Sequence, residues 1–95
     1  MATIDVTRSS ESGDAFTFEV EVREAGSSSR HVVTLQRADA ESLGDRFSSP
    51  EEFVRRCFEF LLERESKESI MAGFDVRDIG RYFPEFEHDL LHPGD

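Results

Sequence analysis

Residues 49–65, SPEEFVRRCFEFLLERE, combine a helix start signal, a wide apolar face and matched surface charges in one run. Ser49 is placed to accept from the first free amides, and Pro50 suits a first turn that needs no amide hydrogen. Glu52, three residues after Ser49, completes the pattern of a capping box. Such a cap contributes about 1 kcal/mol. At 100° per residue, Phe60, Phe53, Cys57, Leu61, Val54, Phe58 and Leu62 sweep roughly 200°, against about 100° or somewhat more for a helix that lies on one surface. The pattern therefore predicts a helix with two packing partners. Arg55, Arg56, Glu59 and Glu63 hold the opposite arc, where Glu51–Arg55 and Glu52–Arg56 are expected as i,i+4 pairs with the acid leading.

What such a helix covers is set by the residues before it. Ile4 and Val6 alternate weakly with Thr3, Asp5 and Thr7, which suits a short first strand, and the Ser- and Gly-containing residues 9–14 read as a loop. Over residues 15–24 the alternation is strict: Phe16, Phe18, Val20 and Val22 fall on one face, Thr17, Glu19, Glu21 and Arg23 on the other. A flexible connection at 25–29 leads to a strand at 30–37 with His31, Val33 and Leu35 inward. The expected sheet is a three-stranded antiparallel meander, apolar on one face and wet on the other.

Downstream, Asp39 caps a short helix ended by Gly44. Beyond the main helix, Ser66 caps a second short helix at 67–72, ended by Gly73, and Asp75 caps a third. Pro84 interrupts the run, Phe86 and Leu90 lie beyond it, and residues 91–95 read as a frayed tail. The expected architecture is one α+β domain over 1–95, with the sheet in 2–37 and the helical part in 39–90. Main-helix residues cover one sheet face, and shorter helices pack on that helix from the other side.

The combination SPEEFVRRCFEFLLERE, then ESI, then FDVRDIGRYFPEFE resembles a family of short, mostly uncharacterised bacterial proteins in which a β-hairpin precedes such a helical segment. The resemblance covers roughly the C-terminal half and, more loosely, the hairpin. It implies a shared fold and supplies no catalytic, cofactor-binding or metal-ligating residue.

Charge narrows the function classes. A net charge of −10 over 95 residues opposes attraction to nucleic acid and to anionic membrane, because phosphate is repelled before local contacts form. The strand-then-helix order resembles ribbon–helix–helix repressors, but Glu51 and Glu52 at the helix start and Glu19 and Glu21 on the outer strand face would repel the backbone. Only a local patch of Arg30, Arg37, Arg77 and Arg81 would run the other way. The N-terminus has no basic region followed by an apolar run, and no stretch reaches the roughly 20 apolar residues of a membrane span, so a cytoplasmic location is expected.

Chemistry-bearing residues are sparse. Cys57, the one cysteine, lies in the apolar arc of the main helix and reads as a small core hydrophobe. His88 and His92 stand four apart near Glu85 and Asp89, a metal-ligand spacing, but beside the chain end they read as a solvated tail. His31 reads as a structural histidine, since a general base also needs a substrate group in reach. No phosphate loop, nucleophile elbow or paired-cysteine motif is present, and the expectation is no catalytic residue, no cofactor and no metal.

The remaining signal is aromatic. Tyr82, Phe83 and Phe86 are the candidate partner surface, a groove against the main helix whose acidic rim would select a basic peptide or protein. Phe86→Ala is then expected to weaken binding more than folding. The functional expectation is a non-catalytic acidic adaptor or regulatory protein, with homo-oligomerisation through an edge strand or this aromatic surface as a further option. A small regulator binding a metabolite or nucleic acid is the alternative, and an enzyme comes third.

Overall fold

A computed structural model describes residues 2–43, 47 and 49–86. The chain is α+β, with β1 (Thr3–Ser12), β2 (Ala15–Glu24), β3 (Ser27–Gln36), α1 (Arg37–Leu43), α2 (Pro50–Leu62), β4 (Gly73–Asp75) and α3 (Val76–Tyr82). The strands form one sheet in the order β1-β2-β3-β4. β1 to β3 are the expected antiparallel meander, but β4 adds to β3 in parallel, so the sheet has four strands and is mixed rather than three-stranded and antiparallel. A parallel neighbour requires a crossover, and the helices between β3 and β4 provide it.

Both hairpins are tighter than the sequence suggests. Residues 9–12 continue β1 rather than forming a loop, with a bulge between Arg8 and Ser10, and the turn is confined to Gly13 and Asp14. β3 starts at Ser27, paired with Glu24, so only Ala25 and Gly26 turn. Their φ values of 56° and 80° are both positive, as the mirror-image turn of a two-residue hairpin requires. Ala25 carries that conformation against its own preference, and Gly26 carries it freely.

The inner sheet face is the one expected: Phe16, Phe18, Val20, Val22, His31, Val33 and Leu35 are buried. α2 lies on it, with Phe53, Val54, Cys57, Phe58, Phe60 and Leu61 buried. The second partner that its wide arc demanded is aromatic. Phe47 meets Phe53 edge-on at 5.1 Å, while Phe83 and Phe86 meet Phe60 edge-on at 5.9 and 5.1 Å. α1 and α3 lie chiefly against β3, and α3 also against β4, instead of stacking on α2 from its other side as expected.

The start of α2 is half as expected. Ser49 Oγ accepts from the Glu52 amide at 3.1 Å, while the Glu52 carboxylate turns to Arg55 at 3.9 Å. The i,i+4 pairs give way to i,i+3 pairs, Glu52–Arg55 and Arg56–Glu59, and to a tie across the fold. Arg8 of β1 donates from Nε and Nη2 to the two Glu51 oxygens, 3.0 Å each, which joins the sheet to the helix start. Burial pushes the Glu51 carboxyl up, but the Arg8 bonds and a backbone bond outweigh it and hold it below the usual range. Arg8 also lies 5.0 Å from the Phe16 ring centre and Arg37 lies 4.7 Å from it, so two guanidiniums cover that ring at the sheet end.

The largest local departure lies after α2. Residues 67–72 do not form a helix; they run as turns, and Gly73 opens β4 instead of ending a helix. The Val32 amide donates to the Ala72 carbonyl at 2.8 Å and the His31 ring to the Met71 carbonyl at 2.7 Å. These bonds draw the segment out along β3, in competition with helical i→i−4 bonding. The expected stop at Gly44, the pair His88 and His92 with Asp89, and the tail at 91–95 fall outside the described residues.

Candidate partner-binding cleft

α3 is held at the β4 edge by its own start. Asp75 Oδ1 accepts from the Arg77 amide at 2.8 Å, and Asp78 Oδ2 accepts from the Asp75 amide at 3.2 Å, a reciprocal cap. Asp75 Oδ2 also accepts from Gln36 Nε2 at 2.8 Å, and Arg77 reaches back to Asp39 of α1 at 2.8 Å. The helix is thus pinned to β3 and α1 before its side chains reach α2.

Between α3, the end of α2 and residues 69–71 lies a cleft of about 410 Å³. Leu61, Ile70, Phe74 and Ile79, all buried, form its floor, while Met71, Tyr82 and Phe83 stand at the mouth. Met71 is 41% exposed and Tyr82 67% exposed, an unusual cost for large side chains next to an apolar floor. Glu65 is the one charged residue in this lining.

The three expected surface residues therefore divide. Tyr82 and Phe83 line the cleft; Phe86 is buried behind it against Phe60. The expectation that Phe86→Ala weakens binding more than folding gives way to Tyr82 as the surface position, since removing a buried ring leaves a cavity. The sequence pattern does not mark Leu61, Glu65, Ile70 and Met71 as part of this lining. For Ile70 and Met71 the available signal is an apolar pair that follows the polar residues 63–69 and stands just before Gly73.

His31 and Cys57 are both buried within the fold. A carbonyl only accepts, so His31 Nδ1 carries the hydrogen donated to Met71, and in the neutral ring Nε2 accepts from the Ser29 hydroxyl at 2.8 Å. Both ring nitrogens are occupied, and the ring packs 5.2 Å from that of Phe58. His31 thereby fixes the cleft wall at Met71. Cys57 is fully buried, and burial pushes its thiol well above the ordinary value of 9.0. A disulfide-exchange reagent at pH 8 is therefore expected to leave the native thiol untouched and to label it only at the rate of unfolding; rapid labelling of folded protein would contradict this burial.

Each arginine of the local patch that would run against the overall charge has an acidic neighbour. Arg30 faces Glu21, Arg37 faces Glu11, Arg77 faces Asp39 and Arg81 faces Asp78. Among the described residues no three His, Cys, Asp or Glu side chains converge as metal ligands, and no helix is long and apolar enough to cross a membrane. Comparison of the chain with family models, curated proteins and solved structures gives no match, so the family resemblance brings no residue roles to the cleft.

Proposed function

We propose that this protein is a non-catalytic acidic adaptor or regulatory protein whose cleft grips an apolar side chain of a basic partner protein. The observation that carries the reading is the exposure of Tyr82 and Met71 over a buried apolar floor. Aromatic anchors with an apolar centre and a polar rim characterise protein interfaces. Glu65 at the lining and the net charge of −10 favour a cationic partner and speed its encounter.

The probe is a lysine-rich peptide carrying a single leucine or phenylalanine, followed by fluorescence anisotropy. Tyr82→Ala is expected to weaken binding about tenfold or more while leaving the melting temperature within about 2 °C of wild type, as for a surface change. Phe86→Ala is expected to lower the melting temperature. Equal binding by wild type and Tyr82→Ala would remove the cleft from the interaction.

The cleft volume also lies within the range of small-molecule pockets, roughly 300–1,000 Å³. This favours, as the second reading, a regulator that takes an apolar metabolite. Stabilisation by small apolar compounds, with no peptide binding, would move that reading to the front.

A further inference from the structure

The cleft holds one group that the fold itself leaves unanswered. Among the described carboxylates, Asp14, Glu19, Glu24, Glu41 and Glu65 are the ones whose side chains make no hydrogen bond or ion pair. The first four are exposed and keep their water; Glu65, in the lining of the cleft, is half-buried. A carboxylate that loses water without gaining a donor costs free energy, and a ligand that brings a cation removes that cost.

Among the described residues, the neighbouring cations are engaged elsewhere. Arg64, beside Glu65 in the chain, donates to Glu63 and to Glu85 at 3.2 Å each and lies 3.6 Å from the Phe60 ring centre. Lys67 is buried and pairs with Glu68. Ser69, also in the lining, already meets the Ser66 hydroxyl at 3.3 Å. The rest of the lining is apolar or aromatic, and the aromatic faces of Tyr82 and Phe83 also attract a cation.

We propose that Glu65 is the specificity-determining residue of the cleft, and that it pairs with a lysine or arginine directly beside the partner's apolar anchor. This inference rests on the cleft reading above and narrows it: the feature selected is an adjoining apolar and basic pair, in place of diffuse positive charge. Attraction between exposed charges falls away within about 10 Å at 0.1 M salt. The net charge of −10 therefore speeds encounter without distinguishing where on the partner a cation stands. A short-range pair at a half-buried carboxylate is screened less, and it does distinguish this.

The test uses the full chain and two peptides of equal length and composition, each with one leucine, several lysines and otherwise glycine and serine. In one the lysines flank the leucine; in the other they stand at the two ends, away from it. Wild type is expected to bind the first about tenfold more tightly. Glu65→Gln is expected to bind both alike, with a melting temperature within about 2 °C of wild type. Glu19→Gln, which removes the same charge from an exposed strand position outside the cleft, is expected to keep the preference. Glu65→Lys is expected to favour a peptide whose leucine is flanked by glutamates over the lysine-flanked one. Equal affinity of wild type for the two peptides, or a preference that survives in Glu65→Gln, overturns the proposal. Where binding in that case still depends on Tyr82, the cleft stands and only the role of Glu65 falls. Absence of binding by either peptide, or binding of both that Tyr82→Ala leaves unchanged, removes the cleft reading and this inference with it.

Discussion

Phe58→Ala is expected to remove about 3–5 kcal/mol of folding stability, the cost of deleting a buried phenylalanine. Phe58 is fully buried at the meeting point of three elements, with ring centres 5.2 Å from His31 on β3 and 5.9 Å from Phe74 on β4. Neighbours held on separate elements cannot all close on the cavity at once, so little of the loss is recovered by relaxation. For a domain of this size the melting temperature should fall by more than about 10 °C. Against a total stability of roughly 5–15 kcal/mol, the variant would be poorly folded at physiological temperature. A decrease of under about 3 °C would show that α2 is not the support of the sheet.

His31→Leu is the second large effect, and it links the core to the cleft. Leucine keeps apolar bulk beside Phe58 but leaves the Met71 carbonyl and the Ser29 hydroxyl without their partner. The expected loss is about 1–3 kcal/mol, the cost of abandoning a hydrogen-bonding group. A further effect separates this change from a general core defect. Because Met71 forms part of the cleft mouth, hydrogen exchange at the Val32 amide should accelerate and peptide affinity should fall even where the protein remains fully folded. Ser29→Ala, which removes only the outer partner, should do less of both. Unchanged exchange at Val32 in His31→Leu would mean that the β3–β4 junction holds without the histidine.

The parts of the fold that were legible in the sequence are those with long, regular patterns. β2 repeats its inward set four times and α2 repeats its own over more than three turns, so burial of Phe18 or Phe58 follows from spacing alone. β4 gives no such signal, because three residues are too few to alternate and Gly73 and Asp75 both read as punctuation. Residues 9–12 looked like a loop because an edge strand with polar side chains has no buried face to advertise. The helix expected at 67–72 failed for a tertiary reason. Its backbone is bound to His31 and Val32, forty residues earlier, and such bonds leave no local trace.

The candidate site divides along the same line. The aromatic run at residues 82–86 points to Tyr82 and Phe83, but spacing alone does not separate these from Phe86, which is buried against Phe60 and does not line the cleft. The opposite wall depends on the turns that carry Ile70 and Met71, and was therefore invisible. Likewise, Arg8 and Glu51 are 43 residues apart, and nothing in the sequence announces that they meet.

The central claim is that the cleft between α2, residues 69–71 and α3 receives a partner's apolar side chain. The chain contains two methionines, Met1 and Met71, and methyl-labelled methionine gives a reporter at the cleft mouth through Met71. Titration with the lysine-rich, single-leucine peptide should shift the Met71 methyl resonance in a saturable way, and the shift should be lost in Tyr82→Ala. A peptide that binds while the Met71 resonance stays in place would contradict the account and direct attention to another surface.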